Sequence, residues 1–205
     1  MIKNVKLIWI LLIAIVLLAG ILRFWQLGDI PPSPDWDEVA LGYDAYSILH
    51  TGRDEFGKFL PVVLRSFDDY KPALYAYLAI PSVLFFGLTT FAVRFPSAAF
   101  GTLTVVVVYY LVREIFEKHK YRDYLSLTSA FLFAISPWSI QFSRVAFESN
   151  IGATLNSLVV LLFLKGLKKP WMLSLSAISA GLCIYAYQSE KVFTPLLVLV
   201  MIIIY

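Results

Sequence analysis

The sequence predicts an all-α protein: a polytopic bundle of transmembrane helices whose first external loop carries juxtamembrane helices. Of its 205 residues, 60% are hydrophobic and only 15% are charged, whereas about half of a soluble domain is apolar. Apolar runs long enough to cross a bilayer also follow one another along the chain. These observations exclude a soluble domain, and no nucleic acid is expected as a partner.

The first element is the apolar run at 7–27. Roughly twenty apolar residues cross the hydrocarbon core of a bilayer, and the apolar part of a signal peptide is shorter. The run ends in Arg23, Phe24 and Trp25, side chains that are typical of a membrane interface. We therefore expect an uncleaved transmembrane helix, with a cleaved signal peptide as the less favoured alternative.

A second helix is expected at about 36–50, directly after the first span. Asp35 is placed to cap its N-terminus, and Glu38 three residues later completes a capping box. Gly52 suits the C-terminal end of this helix. The stretch that follows contains glycines and paired charges, which favours a loop.

The placement of basic residues decides the predicted topology. Lysine and arginine concentrate in three segments, which we expect in the cytoplasm: 3–6, 113–124 and 165–170. If every apolar run crossed the membrane, 113–124 would lie outside, so one run must fail to cross. The run at 72–92 is the best candidate, because Pro72 and Pro81 interrupt its helix and its tyrosines suit an interfacial position.

One external segment, 28–93, is therefore predicted, with interfacial helices at about 36–50 and 72–88. The further crossings are expected at about 94–113, 122–142, 151–166, 171–188 and 192–205. The connections at 143–150 and 188–191 then face outside together with the first loop. Because the chain stops inside an apolar run, we expect it to be the N-terminal part of a longer protein.

Acidic side chains cluster at the start of the external segment, where Asp35, Asp37 and Glu38 surround Trp36. Asp35 is explained as a helix cap. For Asp37, helix capping and catalysis are equally supported by these residues alone. A pair of carboxylates in a partly desolvated place is a source of the general base that many transfer reactions need.

Other external segments contribute charge to the same membrane face: Lys71, Arg144, Glu148 and Lys191. Each has a simple structural explanation. Arg144 and Glu148 are four residues apart, which predicts one helical face and a local ion pair, and the lysines could snorkel to the interface. Together, however, these charges fit an anionic lipid substrate.

A lipid-linked sugar phosphate would place its tail in the bilayer and its phosphate among the headgroups. Lysine or arginine would neutralise the leaving phosphate, and only a base is then required for the incoming hydroxyl. Trp36, Tyr43 and Tyr70 are the aromatic residues that we expect to bind the sugar.

In the order of its motifs, the chain resembles the N-terminal part of a GT-C fold glycosyltransferase of the protein O-mannosyltransferase and lipid A aminoarabinose transferase type. Four features carry the resemblance: the acidic pair at 37–38, YKP at 70–72, VRFPSA at 93–98, and the segment with SPW and SRVAFE at 136–148. The resemblance extends over nearly the whole chain and implies a GT-C-like bundle.

The resemblance also implies a reaction. The enzyme would move a sugar from a polyprenyl-phosphate donor to an acceptor protein, lipid or glycan, with inversion at the anomeric carbon. Asp37 would be the base, Glu38 its neighbour and Glu148 the second carboxylate of the active site. Lys71 would bind the lipid phosphate. The protein would lie in the plasma (inner) membrane with its active site facing outside.

Three further expectations come from the same comparison of motifs. Arg144 or Lys191 would assist Lys71 in holding the phosphate. Where aminoarabinose transferases have an acidic residue just before the lysine, this chain has Tyr70, and Asp69 comes one place earlier. Asp69 is thus a displaced metal-ligand candidate. The motifs identify no cofactor with certainty, and a divalent metal is allowed.

Two alternatives from other classes remain. A transporter or flippase for lipid-linked solutes would carry ionisable residues near the middle of its spans, where Asn156 is the main polar residue of this chain. A non-catalytic subunit that binds polyprenyl lipid and supports a partner is the other alternative.

Overall fold

The computed structural model describes residues 5–66 and 69–205, so the start of the basic segment 3–6 lies outside the described residues. The described residues form nine α-helices and one antiparallel two-stranded sheet, which confirms the predicted all-α fold. The helices are α1 Val5–Phe24, α2 Trp36–Thr51, α3 Leu74–Phe86, α4 Thr90–Ile115, α5 Arg122–Ile135, α6 Pro137–Ser143, α7 Glu148–Gly166, α8 Trp171–Ile184 and α9 Glu190–Ile204. The strands are β1 Val63–Ser66 and β2 Asp69–Pro72.

Helix length separates the predicted crossings into two groups. Among the described residues, α1, α4 and α7 are long and apolar enough to cross a membrane, and α5 with α6 makes a fourth span if this pair, bent by 59°, is counted as one. The helices α8 and α9 have 14 and 15 residues, fewer than the roughly 20 that cross the hydrocarbon core. Crossings at 171–188 and 192–205 therefore stay predictions.

The start and end of α2 follow from its local sequence. The Asp35 carboxylate accepts the N–H of Trp36 at 2.8 Å, and the Glu38 carboxylate accepts the N–H of Asp35 at 3.0 Å. The predicted capping box is therefore present. Gly52 ends the helix in the left-handed conformation, with φ of 69°, which a residue without Cβ adopts at little cost.

The hairpin of β1 and β2 is an element that the sequence did not predict. It is short, and the alternation in a four-residue strand is too brief to distinguish it from a loop. The Gln188 side chain donates to the carbonyl of Tyr70 at 3.0 Å, and the N–H of Leu74 donates to the carbonyl of Tyr185 at 3.2 Å. These bonds fix the hairpin against the turn between α8 and α9.

The long helix α4 is the centre of the bundle and packs against α1, α3, α5, α6 and α7. One cluster of buried apolar side chains joins α2, α3, α4 and α7 with parts of α8 and α9, and a second joins α1, α4 and α5. The first cluster attaches α2 and α3 to the long helices of the bundle. The segment predicted to be external is therefore packed onto the bundle.

Arg23, at the end of α1, does not extend its side chain to the protein surface, because the side chain is fully buried. Its guanidinium donates to the carbonyl of Ala134 at 3.0 Å and to the hydroxyl of Ser139 at 2.8 Å. The last carbonyls of a helix have no partner within the helix. Arg23 supplies such a partner where α5 bends into α6.

Asn156 belongs to a small polar cluster between α7, α8 and α9. Its amide donates to the buried carboxylate of Glu190, and its carbonyl oxygen accepts from the hydroxyl of Thr194 at 3.0 Å. The same hydroxyl lies 3.0 Å from the Glu190 carboxylate, so its single proton is shared between the two acceptors. The cluster satisfies its own hydrogen bonds, which indicates a structural role rather than a transport site.

We predict that α3 lies along the outer surface and does not cross the membrane. Its 13 residues extend about 20 Å at 1.5 Å per residue, less than the ~30 Å of the hydrocarbon core. With Cys183 replaced by serine, cysteines introduced at the exposed positions Lys58 and Thr89 should both react with an impermeant thiol reagent from outside. A cysteine at Lys118 serves as the control and should react only after permeabilisation. Labelling of Lys58 and Thr89 positions from opposite sides would contradict the prediction.

Candidate active site

An ion pair between Asp37 and Lys71 joins the first turn of α2 to the end of β2. The lysine side chain is 13% exposed and the aspartate side chain 45% exposed. The ammonium group is thus largely enclosed by protein, whereas the carboxylate can be reached from solvent. A solvent-accessible carboxylate and a largely enclosed ammonium group therefore stand side by side.

Glu148 adds a second carboxylate to this place. It is the first residue of α7 and is only 7% exposed. Its Oε1 atom has no hydrogen-bond partner among the described residues, although a buried polar atom normally has one. Lys71, Asp37 and Asp69 all lie close enough to act on its charge. The structure thus brings Asp37, Lys71 and Glu148 together from three separate elements.

Glu38 has a different environment from its neighbour Asp37. Its carboxylate is buried and forms a two-point ion pair with Arg94, with both N–O distances at 2.9 Å. It also accepts the N–H of Ala146 at 2.7 Å and that of Asp35 at 3.0 Å. Since both oxygens are occupied by these donors, Glu38 holds α2 to α4 and to the turn before α7.

Arg94 is a residue of this site that the sequence reasoning did not single out. Besides Glu38, it donates to the carbonyls of Leu27, Pro31 and Ser33 at 3.1, 2.8 and 3.2 Å. These carbonyls belong to the linker between α1 and α2, so Arg94 fixes the approach to the capping box. The sequence did contain a sign of this role. Arg94 is the second residue of the motif VRFPSA, and it is a charged residue within an apolar run.

The prediction that Arg144 and Glu148 share a helical face is wrong. Arg144 follows the last residue of α6, and α7 begins only at Glu148. The guanidinium of Arg144 donates instead to the carbonyls of Leu22, Trp25 and Ile30 at 2.9, 2.7 and 3.0 Å. Leu22 lies in the last turn of α1, where helix carbonyls need outside donors, and Trp25 and Ile30 lie in the linker that follows α1. Burial lowers the pKa of Arg144.

The remaining residues that were predicted to bind substrate do not take part in the ion pair of Asp37 with Lys71. Lys191 is exposed in the first turn of α9. Tyr70 is exposed and precedes Lys71 on the strand, so the two side chains point to opposite faces of the hairpin. Trp36 and Tyr43 line a cleft on the outer face of α2, and neither Asp37 nor Lys71 is among its lining residues.

Two hydrogen bonds to α4 stabilise the elements that carry the site. The buried hydroxyl of Tyr75, in α3, donates to the carbonyl of Val93 at 2.9 Å, and burial raises the pKa of Tyr75 well above its usual value. The amide of Asn150 donates to the carbonyl of Ser97 at 2.9 Å. They fix α3 and the start of α7 against α4, which positions Lys71 and Glu148.

The described residues do not fit a metal centre. No group of three histidine, cysteine, aspartate or glutamate side chains in 5–66 and 69–205 is arranged to hold an ion. The carboxylate of Asp69 accepts the N–H of Tyr70 at 2.8 Å. Within the described residues, Asp69 therefore does not belong to such a group.

Comparison with known protein families identifies a match. The sequence profile of the family described as dolichyl-phosphate-mannose-protein mannosyltransferase matches residues 70–204. No curated protein and no solved structure gives a significant match. The matched region includes Lys71, Arg94 and Glu148, and it begins after Asp37.

Proposed function

The chain belongs to the dolichyl-phosphate-mannose-protein mannosyltransferase family, and on this basis we propose that it moves a sugar from a polyprenyl-phosphate donor to an acceptor. Mannose is the sugar suggested by the family's description. The transfer takes place on the external face of the plasma membrane, where the first loop would place Asp37.

The observation that carries the proposal is the contact of Asp37 with Lys71 beside the buried carboxylate of Glu148. The donor phosphate takes the place of Asp37 as the partner of the Lys71 ammonium. This cation then stabilises the negative charge that grows on the phosphate as the sugar departs. Asp37, released from Lys71, becomes available as a base.

The reaction is a single displacement at the anomeric carbon. The Asp37 carboxylate accepts the proton of the acceptor hydroxyl while the hydroxyl oxygen forms its bond to the anomeric carbon. The bond between that carbon and the phosphate oxygen breaks, and its electron pair leaves with the lipid phosphate. One displacement inverts the configuration of the sugar. The proton on Asp37 passes to water after the product leaves.

Glu148 acts on the donor by position rather than as the base. It is more deeply buried than Asp37, and its Oε1 atom lacks a donor in the protein. A hydroxyl group of the donor sugar can satisfy this oxygen, which would orient the ring for attack. The Lys71 ammonium lies close enough to Glu148 to interact with its carboxyl group.

The proposed function is tested by supplying the full-length protein, in membrane vesicles, with a panel of polyprenyl-phosphate sugars. Release of free polyprenyl phosphate together with sugar transfer is the expected result, with the mannose donor among the active ones. Binding of these lipids without release from any member of the panel would contradict the proposal and favour a non-catalytic lipid-binding subunit.

Replacing Lys71 with methionine should lower turnover of the donor by about 10²–10³-fold, the usual effect of removing one group that stabilises transition-state charge. Methionine keeps most of the chain length, so the hairpin should remain in place. The measurement is the rate of lipid phosphate release by the purified variant. Lys58→Met, which removes an exposed lysine of the same external segment, is the matched control and should behave as wild type. Equal rates for both variants would exclude the proposed role of Lys71.

A further inference from the structure

A cleft of about 750 Å3 lies on the outer face of α2, opposite the side that packs on the bundle. Trp36 and Tyr43 form its wall on the helix, and Glu55, Phe56 and Arg65 form the facing wall from the loop after α2 and from β1. It is large enough for a small organic molecule or two sugar rings. Asp37, Lys71 and Glu148 are not among the residues that line it.

The hairpin lies between the cleft and the Lys71 ammonium, which is the proposed binding group for the donor phosphate. Leu64 pairs with Lys71, and Arg65 pairs with Tyr70. Because successive side chains of a strand point to opposite faces, Lys71 lies with buried Leu64 on one face and Arg65 lies on the other. The cation for the donor phosphate and the guanidinium of the cleft are therefore on different sides.

The helix α2 also has one face toward the cleft and another toward the bundle, and Asp37 lies between these two faces. Trp36 and Tyr43 recur at helical spacing on the cleft face, whereas Glu38 and Leu41 are buried on the face toward the bundle. Each residue turns the helix by about 100°, so Asp37 lies at the border of these faces. Its carboxylate can thus serve a group that enters from the cleft while Lys71 holds a phosphate on the other side.

The lining of the cleft has the chemistry of a carbohydrate site. The rings of Trp36, Tyr43 and Phe56 are 74%, 49% and 56% exposed, and their electron-rich faces attract the C–H groups on the flat side of a sugar ring. The carboxylate of Glu55 accepts from hydroxyl groups, and the guanidinium of Arg65 donates to them.

The wall that carries these groups is fixed before any ligand arrives. The buried Asp44 carboxylate accepts the N–H of Glu55 at 3.1 Å, and the Asp54 carboxylate accepts the N–H of Phe56 at 3.1 Å. Burial raises the pKa of Asp44 to about 6. The Arg65 guanidinium lies over the Phe56 ring at 5.1 Å from its centre. A preformed wall reduces the ordering cost of binding.

We propose that this cleft binds the acceptor and that the acceptor is a carbohydrate, whose hydroxyl reaches Asp37 at the N-terminal end of α2. The inference rests on the proposed function and adds the acceptor's chemical class to it. An inverting displacement needs the acceptor to approach from the side opposite the leaving phosphate. The positions of the cleft and of Lys71 on two sides of Asp37 meet this requirement.

Two other occupants would also cover exposed aromatic rings. A lipid tail is disfavoured because Glu55 and Arg65 would carry charge into an apolar layer. An extended peptide with serine or threonine could use the same hydrogen-bonding groups, but the flat aromatic faces are better matched by sugar rings. Binding of such a peptide and not of a sugar would identify the cleft as a peptide site.

The experiment measures binding of oligosaccharides to the full-length protein in lipid nanodiscs, without any donor present. The probes are tetrasaccharides of mannose, glucose, galactose and N-acetylglucosamine, with a serine- and threonine-rich peptide as the competing probe, all followed by saturation-transfer NMR. At least one tetrasaccharide should bind, and Tyr43→Ala and Glu55→Gln should each weaken its binding about tenfold. Trp138→Ala, which removes an aromatic side chain that is 75% exposed outside the cleft, should leave it unchanged.

The proposal is overturned if no tetrasaccharide binds, if the cleft variants bind it as wild type does, or if these variants weaken only the peptide. Glu55→Gln keeps the size and backbone contacts of the loop, so its effect does not depend on a change in folding. Because the measurement contains no polyprenyl lipid, its outcome is independent of whether the protein releases phosphate from a donor.

Discussion

Asp37→Asn protein is expected to transfer sugar about 10²–10⁴-fold more slowly than wild type, the effect of losing a general base. Asparagine has nearly the same shape but cannot accept the proton of the acceptor hydroxyl at neutral pH. Asp37 is half-exposed, and its ion pair with Lys71 is the contact that the change removes. The variant should therefore fold and insert as wild type does.

The measurement has two parts, because loss of activity alone does not identify a base. Turnover is followed by release of lipid phosphate, and binding of free polyprenyl phosphate is measured on the same preparation. Binding should be at least as tight as in wild type, since Lys71 no longer has a carboxylate partner that the phosphate must displace. Asp35→Asn is the matched control: it changes the carboxylate two residues earlier, and asparagine retains N-capping ability. Normal turnover by Asp37→Asn, or equal loss in both variants, would rule out the assigned role.

The parts of the structure that sequence reasoning predicted best are set by neighbouring residues. The boundaries of α2 follow from Asp35, Glu38 and Gly52, whose effects act within one turn of helix. The order of apolar runs likewise indicated the helical bundle. Such features need no knowledge of distant contacts.

The candidate site shows both what charge placement can predict and what it cannot. Counting basic residues placed Asp37, Lys71 and Glu148 on one membrane face, and the structure brings these three together; their roles stay predictions. The number and placement of basic residues could not show that Lys71 pairs with Asp37 whereas Arg144 binds backbone carbonyls. Arg144 is committed to backbone carbonyls near the end of α1, more than a hundred residues away in the sequence.

Glu38 shows the same limit for a carboxylate. Its neighbour Asp37 and its place in a capping box are visible in the sequence. Its ion pair with Arg94 and its bond from Ala146 depend on the packing of α4 and of the turn before α7. Two adjacent acidic residues therefore have different surroundings, one half-exposed and one buried, because successive helical residues point in different directions.

Breaking the buried pair of Glu38 and Arg94 should have the largest effect on stability. Arg94→Met leaves the Glu38 charge buried without its partner and removes the donor from three linker carbonyls. Loss of one member of a buried ion pair typically costs about 3–5 kcal/mol of unfolding free energy. Thermal unfolding of the variant in detergent should therefore begin at a clearly lower temperature. Lys168→Met, which breaks exposed ion pairs of the turn between α7 and α8, should change the unfolding temperature little.

The double variant Glu38→Gln with Arg94→Met distinguishes an unpaired charge from a simple loss of packing. Glutamine removes the buried charge but still accepts the N–H groups of Ala146 and Asp35. If the cost of Arg94→Met comes mainly from the stranded carboxylate, the double variant should be more stable than Arg94→Met alone. If the double variant is less stable by the sum of both single changes, the pair contributes through packing and linker contacts, and the charge-pair explanation of how α2 is fixed would be wrong. An improvement of the double variant over Arg94→Met would instead show that the buried Glu38 charge, once it has lost Arg94, accounts for the loss of stability.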